Sequence, residues 1–227
     1  MGRMSDDAKS SDAESGDWAA EAEARVLAEA LRLAPSQGWT WRMAYAAGAA
    51  AGLSAGETEL LLPEGPRDLA ALYSRFCDAA AMAALAGIDP TTLKVRQRIR
   101  RGALARLDAA MAETAATRRC AGFLALPANA PLALRLVWQS ADAIWRWAGD
   151  RSTDENHYSK RALLAGILAS TLLVRLTAGE AAAEVHLDRR IEAVMGFERL
   201  KARLGRLHPG AWAAGALGRL RYGLLRG

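Results

Sequence analysis

Residues 38–63 read GWTWRMAYAAGAAAGLSAGETELLLP. Thr40 precedes a run of helix formers, so a short helix is expected over residues 40–50. Gly52 and Ser54 then supply a turn and a new N-cap. A third short helix covers residues 55–62 and stops at Pro63. Upstream, residues 18–33 form a first helix whose Val26, Ala30 and Leu33 make one apolar stripe. Asp17 can cap it, and Pro35 and Gly38 break the chain after it. Three short helices with a glycine turn between the second and third predict a helix-turn-helix.

The same periodicity continues downstream. Pro66 and Arg67 open a fourth helix that reaches about residue 86. Asp89 and Pro90 start a long basic helix over residues 90–114; its Lys94, Arg96, Arg98, Arg100, Arg101 and Arg106 spread around the wheel and make no single face. Further helices are expected at 117–126, at 131–148 with Trp138, Trp145 and Trp147, at 157–176 and at 181–204. Composition agrees. The chain is 52% hydrophobic, mostly Ala and Leu, while aromatics are only 6% and β-branched residues are sparse, which favours helices over strands. The expected fold is all-α, organised as an acidic tail read as disordered (1–17), a degenerate helix-turn-helix region (18–65), a helical core (66–206) and an amphipathic segment (207–227).

Several functions are disfavoured. The opening residues are rich in Ser, Asp and Glu, unlike a secretory signal or an Arg-rich presequence. The longest apolar run, residues 162–174, is shorter than the ~20 residues a spanning helix needs, so a soluble or peripheral protein is expected. Cys77 and Cys120 are too few for a disulfide framework and read as buried thiols. His157, His186 and His208 make no helical ligand pairs, and neither a phosphate loop nor a nucleophile elbow occurs. No catalytic residue, metal ligand or cofactor is therefore assigned.

Charge is uneven. Residues 1–72 carry 12 acids and 6 bases, a net of −6; residues 73–227 carry 13 acids and 24 bases, a net of +11. The basic part points to an anionic partner such as a membrane surface, with a solvated arginine surface as the alternative. The third helix has Glu57 and Glu59 and no base, so it would repel phosphates, and no nucleic-acid partner is expected.

The densest motif runs from Leu124-Ala125-Leu126-Pro127-Ala128-Asn129-Ala130-Pro131 through Ala141-Asp142-Ala143-Ile144-Trp145 to Ala148-Gly149-Asp150-Arg151-Ser152-Thr153-Asp154. Asn156, Tyr158, Lys160 and Arg161 follow, and Leu187-Asp188-Arg189-Arg190-Ile191 lies further on. With Gly38-Trp39-Thr40 and Gly52-Leu53-Ser54 near the start, the chain resembles the coenzyme Q biosynthesis family of TetR-like fold. The resemblance covers about residues 38–203. It implies a non-enzymatic accessory protein that binds an isoprenoid quinone or phospholipid at the membrane and presents quinone intermediates to the di-iron demethoxyubiquinone hydroxylase. It also allows a homodimer. The localisation it implies is the cytoplasmic face of a bacterial inner membrane, or the matrix face in a mitochondrion. The alternative is a TetR-like transcriptional regulator with an apolar ligand pocket.

The resemblance also implies sites. A lipid cavity between the C-terminal helices would use Leu132, Leu136, Ile144 and Trp145 on one helix and Leu164, Ile167, Leu168, Thr171 and Leu172 on the next. From the residues alone these read as ordinary core. A protein-docking patch would comprise Asp150, Ser152, Thr153, Asp154, Asn156, His157, Tyr158, Lys160 and Arg161. Family members often carry Trp where this chain has His157, which reduces the apolar area there. The tail is read from its own pattern. Leu217, Leu220 and Leu224 share a stripe, Arg219 and Arg226 lie opposite, Arg221 flanks it and Trp212 sits near the start. Such a basic amphipathic helix suits the headgroup plane of a membrane.

Overall fold

A computed structural model describes residues 4–150 and 155–207, with side chains over 18–150 and 157–194. Nine α-helices and no strand occur among the described residues: α1 (Met4–Gln37), α2 (Trp41–Ala50), α3 (Ala55–Leu61), α4 (Pro66–Leu85), α5 (Val95–Met111), α6 (Thr114–Leu124), α7 (Ala130–Trp147), α8 (Glu155–Ala178) and α9 (Glu180–Leu207). The all-α expectation holds. The tail 207–227, with Trp212, Leu217, Arg219, Leu220, Arg221, Leu224 and Arg226, lies essentially outside the described residues.

Local chemistry sets the boundaries. α1 begins at Met4 rather than at residue 18, so the backbone of the acidic segment read as disordered is helical from Met4 onward. No proline interrupts it there. At its other end Pro35 sits inside the last turn, and the stop comes at Gly38, whose φ of +73° lets its N–H reach the Ala34 carbonyl at 2.9 Å. Thr40 caps α2 by accepting from the Met43 N–H. Ser54 caps α3 in a reciprocal box: Glu57 N–H donates to its hydroxyl, and the Glu57 carboxylate accepts from its backbone N–H. The Ser54 hydroxyl also donates to the Glu57 carboxylate at 2.7 Å, and this bond, with that from the Ser54 backbone N–H, holds the Glu57 carboxyl below the usual carboxylate range. Glu59 accepts from the Tyr45 hydroxyl at 2.9 Å, tying α3 to α2.

The basic helix differs from expectation. Asp89 caps only a 3-10 turn at Pro90–Thr92, and α5 proper starts at Val95. Paired β-branched Thr91 and Thr92 fit a short tight turn better than a helix start. The arginines of α5 largely cross-link helices. Arg100 donates to Asp188 at 2.7 Å and Glu184 at 2.8 Å on α9, Arg106 to Asp78 at 2.5 Å on α4, and Arg98 to the Ala148 carbonyl at 2.8 Å at the end of α7. Part of the basic excess is thus used internally.

Two apolar clusters form the core. One joins α1, α2, α4 and α6 to the first half of α7, through Val26, Ala30, Met43, Leu69, Tyr73, Cys77, Cys120, Leu132 and Leu136. The other joins α5, the second half of α7, α8 and α9 through Ile99, Ala103, Ile144, Leu164, Leu168, Leu187 and Ile191. α8 also corrects the length estimate. Its stretch His157–Ala178, with mean hydropathy 1.5, is long and apolar enough to cross a membrane by length and composition. Here it packs against α7 and α9, burying Arg161 and Thr171 while leaving Leu163 and Leu173 exposed.

Candidate functional site

A cavity of about 400 Å³ opens between α4, α5, α6, α7 and α8. That volume lies within the ~300–1,000 Å³ range of ligand sites. Alanines on all five helices, among them Ala70, Ala110, Ala121, Ala133 and Ala169, leave the space that larger side chains would fill. Leu107, Leu124, Leu136, Leu168 and Leu172 provide aliphatic walls. Leu134 and Leu173 are 68% and 63% exposed and flank the opening.

The polar groups on the wall are few. The Tyr73 hydroxyl is 3.0 Å from the Ala110 carbonyl and 2.6 Å from the Thr117 hydroxyl, which also donates to Ala110. Burial pushes the Tyr73 hydroxyl above its ordinary value. Arg106 is the charged residue on the wall. Its Nε donates to Asp78 at 2.5 Å and to Ser140 at 3.3 Å, and its Nη2 to Ser74 at 3.3 Å. Ser140 donates in turn to Asp78 at 2.7 Å.

Cys77 and Cys120 both face this cavity, and both are buried and free. Burial raises the Cys77 thiol, against an opposing pull from Arg106, and pushes Cys120 up to about 12. Neither thiol is ionised near neutral pH, so both should resist a thiol-specific aromatic disulfide in the folded protein and react on unfolding. A sign follows for stability. Unfolded thiols ionise near pH ~8.5 while folded Cys120 holds its proton to about 12, so the native state binds more protons in between. Its contribution is complete below the unfolded value and is lost as pH rises through that window. Urea midpoints at pH 8 and pH 10 should differ less for Cys120→Ala than for the parent; equal differences would refute the assignment.

Sequence and structure agree only partly on the lipid residues. Leu136, Leu168 and Leu172 lie on the cavity wall. Leu132 is packed in the first core cluster, and Ile144, Leu164 and Ile167 in the second, with Trp145 against it. Thr171 is fully buried and off the wall. The hollow is not confined to the C-terminal helices: half of its wall comes from α4, α5 and α6. The available signal was the pairing of Tyr73 with Cys77 one turn apart, and of Arg106 with Ala110, on otherwise alanine-rich faces.

The docking patch divides in two. Arg161 is 2% exposed; its Nε donates to Asp142 at 2.6 Å, and its Nη1 to Asp150 at 3.1 Å and to the His157 carbonyl at 3.2 Å. Lys160 donates to Asp150 at 2.8 Å and lies 5.4 Å over the Trp145 ring, whose Nε1 donates to the Lys160 carbonyl. Asp150, Lys160 and Arg161 therefore join α7 to α8, and Arg161 is not a surface residue. Tyr158 is 64% exposed, with His157 edge-on at 5.2 Å and Trp138 tilted at 6.2 Å, and does form a surface. Ser152, Thr153 and Asp154, and the Asn156 side chain, lie outside the described residues.

The fold and site thus define an all-α protein with an apolar cavity opening at α7 and α8. Residues 130–198, which span α7, α8 and most of α9, match the COQ9 family model. The chain is 30% identical over 159 residues to the Rattus norvegicus protein named "Ubiquinone biosynthesis protein COQ9, mitochondrial", covering 67% of this chain and 51% of that protein. The Homo sapiens protein of the same name is 29% identical over 159 residues, covering 67% and 50%. Ubiquinone biosynthesis protein COQ9-A, mitochondrial, of Xenopus laevis is 49% identical over 55 residues, covering 24% and 17%. Residues 130–198 thus form a COQ9-type domain, and over 159 residues the chain is similar to COQ9 proteins. It spans about half the length of the mammalian relatives it matches.

Proposed function

We propose that this protein is a non-enzymatic lipid-binding accessory factor of ubiquinone biosynthesis. It takes up an isoprenoid quinone intermediate at a membrane surface and presents it to the di-iron demethoxyubiquinone hydroxylase. The relatives' names, which place those proteins in ubiquinone biosynthesis and in mitochondria, support the pathway. The observation that carries lipid binding is the cavity itself: about 400 Å³, walled by leucine and alanine, with Leu134 and Leu173 exposed at its opening. Water gains little from such walls, whereas an apolar chain gains about 25 cal/mol per Å² it buries. The Tyr158 surface supports a protein partner, since exposed aromatics anchor interfaces. Membrane contact is supported by the amphipathic pattern of the tail.

Native mass spectrometry of the purified chain should show co-purified lipid. Ala121→Trp on the α6 wall and Ala133→Trp on the α7 wall of the cavity should each lower bound lipid about tenfold or more with an unchanged helical spectrum. Full lipid occupancy in both folded variants would overturn cavity binding.

A further inference from the structure

Resting on the cavity reading above, we infer that Arg106 and Ser74 recognise the ligand's headgroup, and that this headgroup is an uncharged oxygen-bearing ring rather than a phosphate. The polar wall groups are not equivalent. The Tyr73 and Thr117 hydroxyls are both engaged with the Ala110 carbonyl, and the Ser140 hydroxyl is committed to Asp78. Arg106 is different: it spends Nε and one N–H of Nη2 on Asp78, Ser140 and Ser74, while Nη1 meets no acceptor among the described residues. Ser74 accepts from Arg106, and its own hydroxyl proton has no acceptor there either. A guanidinium has five N–H donors, so unused donors remain at this end of the cavity.

Charge selects the class of acceptor. Asp78, at 2.5 Å, already balances Arg106, and the wall holds no second cation. A phosphate brought here would leave the site net negative in apolar surroundings, an uncompensated charge of the kind interiors reject. A carbonyl or hydroxyl oxygen accepts the same donors and adds no charge. Geometry sets the orientation. Ser140, at the polar end, and Leu134, at the opening, lie six residues apart on α7, ~9 Å along the helix. The ring occupies the Arg106 end, and the tail leaves past Leu134 and Leu173.

The test uses the full chain and three probes: a short-tailed prenylated benzoquinone, the matching prenyl hydrocarbon, and dioleoyl phosphatidylglycerol. Arg106 and Asp78 are replaced together, Arg106→Met with Asp78→Asn, so that no carboxylate is stranded; Ser74→Ala is made separately. The double variant should weaken quinone binding about tenfold or more and leave hydrocarbon binding unchanged. Ser74→Ala should act in the same direction, more weakly. Asp78→Asn alone, which unmasks the cation, should strengthen phosphatidylglycerol binding and not quinone binding. Equal loss of quinone and hydrocarbon in the double variant would overturn headgroup recognition, as would unchanged quinone binding or parent binding of phosphatidylglycerol that depends on Arg106. Ala121→Trp separates the two readings: if it abolishes quinone binding while the double variant does not, the cavity stands and the headgroup assignment falls.

Discussion

Replacing Arg161 with Met is expected to destabilise the protein by about 3 kcal/mol, near the lower end of the ~3–5 kcal/mol seen when one partner of a buried ion pair is removed. Arg161 is 2% exposed and bridges Asp142 on α7 to Asp150 just beyond it, with side-chain exposures of 18% and 8%. Met fills most of the volume, so packing changes little, and the loss measures carboxylates left without their shared cation. The lower end applies because each carboxylate keeps a second partner, Arg146 at 2.6 Å for Asp142 and Lys160 at 2.8 Å for Asp150. Urea denaturation checks it. Arg161→Met with Asp142→Asn should recover part of the loss, as removing both charges does when an ion pair is dry. A loss below about 1 kcal/mol would place the network in water, where such pairs contribute little. The consequence for function is positional: this pair joins the end of α7 to the start of α8, the two helices that flank the cavity opening.

Gly48→Ala carries the second large effect, and its sign opposes helix propensity. In an exposed helix, alanine for glycine stabilises by up to ~1 kcal/mol. Gly48, however, lies in α2 where α3 crosses it. A Cβ there would meet Thr58 Oγ1 at 2.2 Å, Cγ2 at 2.6 Å and Cβ at 2.9 Å. Thr58 cannot swing aside freely: it is buried, and its hydroxyl donates to the Ser54 carbonyl at 2.9 Å. The helices must separate, and overpacking of this kind destabilises by about 1–3 kcal/mol. Gly166→Ala on α8 is the control, since nothing lies within 4 Å of its Cβ position. Thermal melts should move in opposite directions for the two variants. A neutral or stabilising Gly48→Ala would mean that α2 and α3 do not approach this closely.

The contrast between these two sites shows where sequence reading succeeds. Helix identity, the cap at Ser54 and the glycine turn at Gly52 are local, so residues within four positions of each other determine them. The family motif is equally legible, because its residues are contiguous along α7 and into α8. Periodicity also identified Leu136, Leu168 and Leu172 as inward-facing. It could not separate them from Ile144 or Leu164, because an apolar stripe says that a face is buried and not whether a side chain or a void lies opposite.

Which helices meet is a non-local question, and it decided everything the sequence left open. Tyr73, Cys77 and Arg106 became cavity wall because α4 and α5 pack beside α6, α7 and α8. Arg161, adjacent to Lys160 in a polar-looking run, reads as surface until folding brings Asp142 and Asp150 against it from 19 and 11 residues away. A charge is tolerated inside only where its counter-charges arrive with it. One-dimensional pattern therefore specifies the helices and their buried faces. The hollow among them, and the buried ion pairs that join the end of α7 to the start of α8, exist only once distant helices share space.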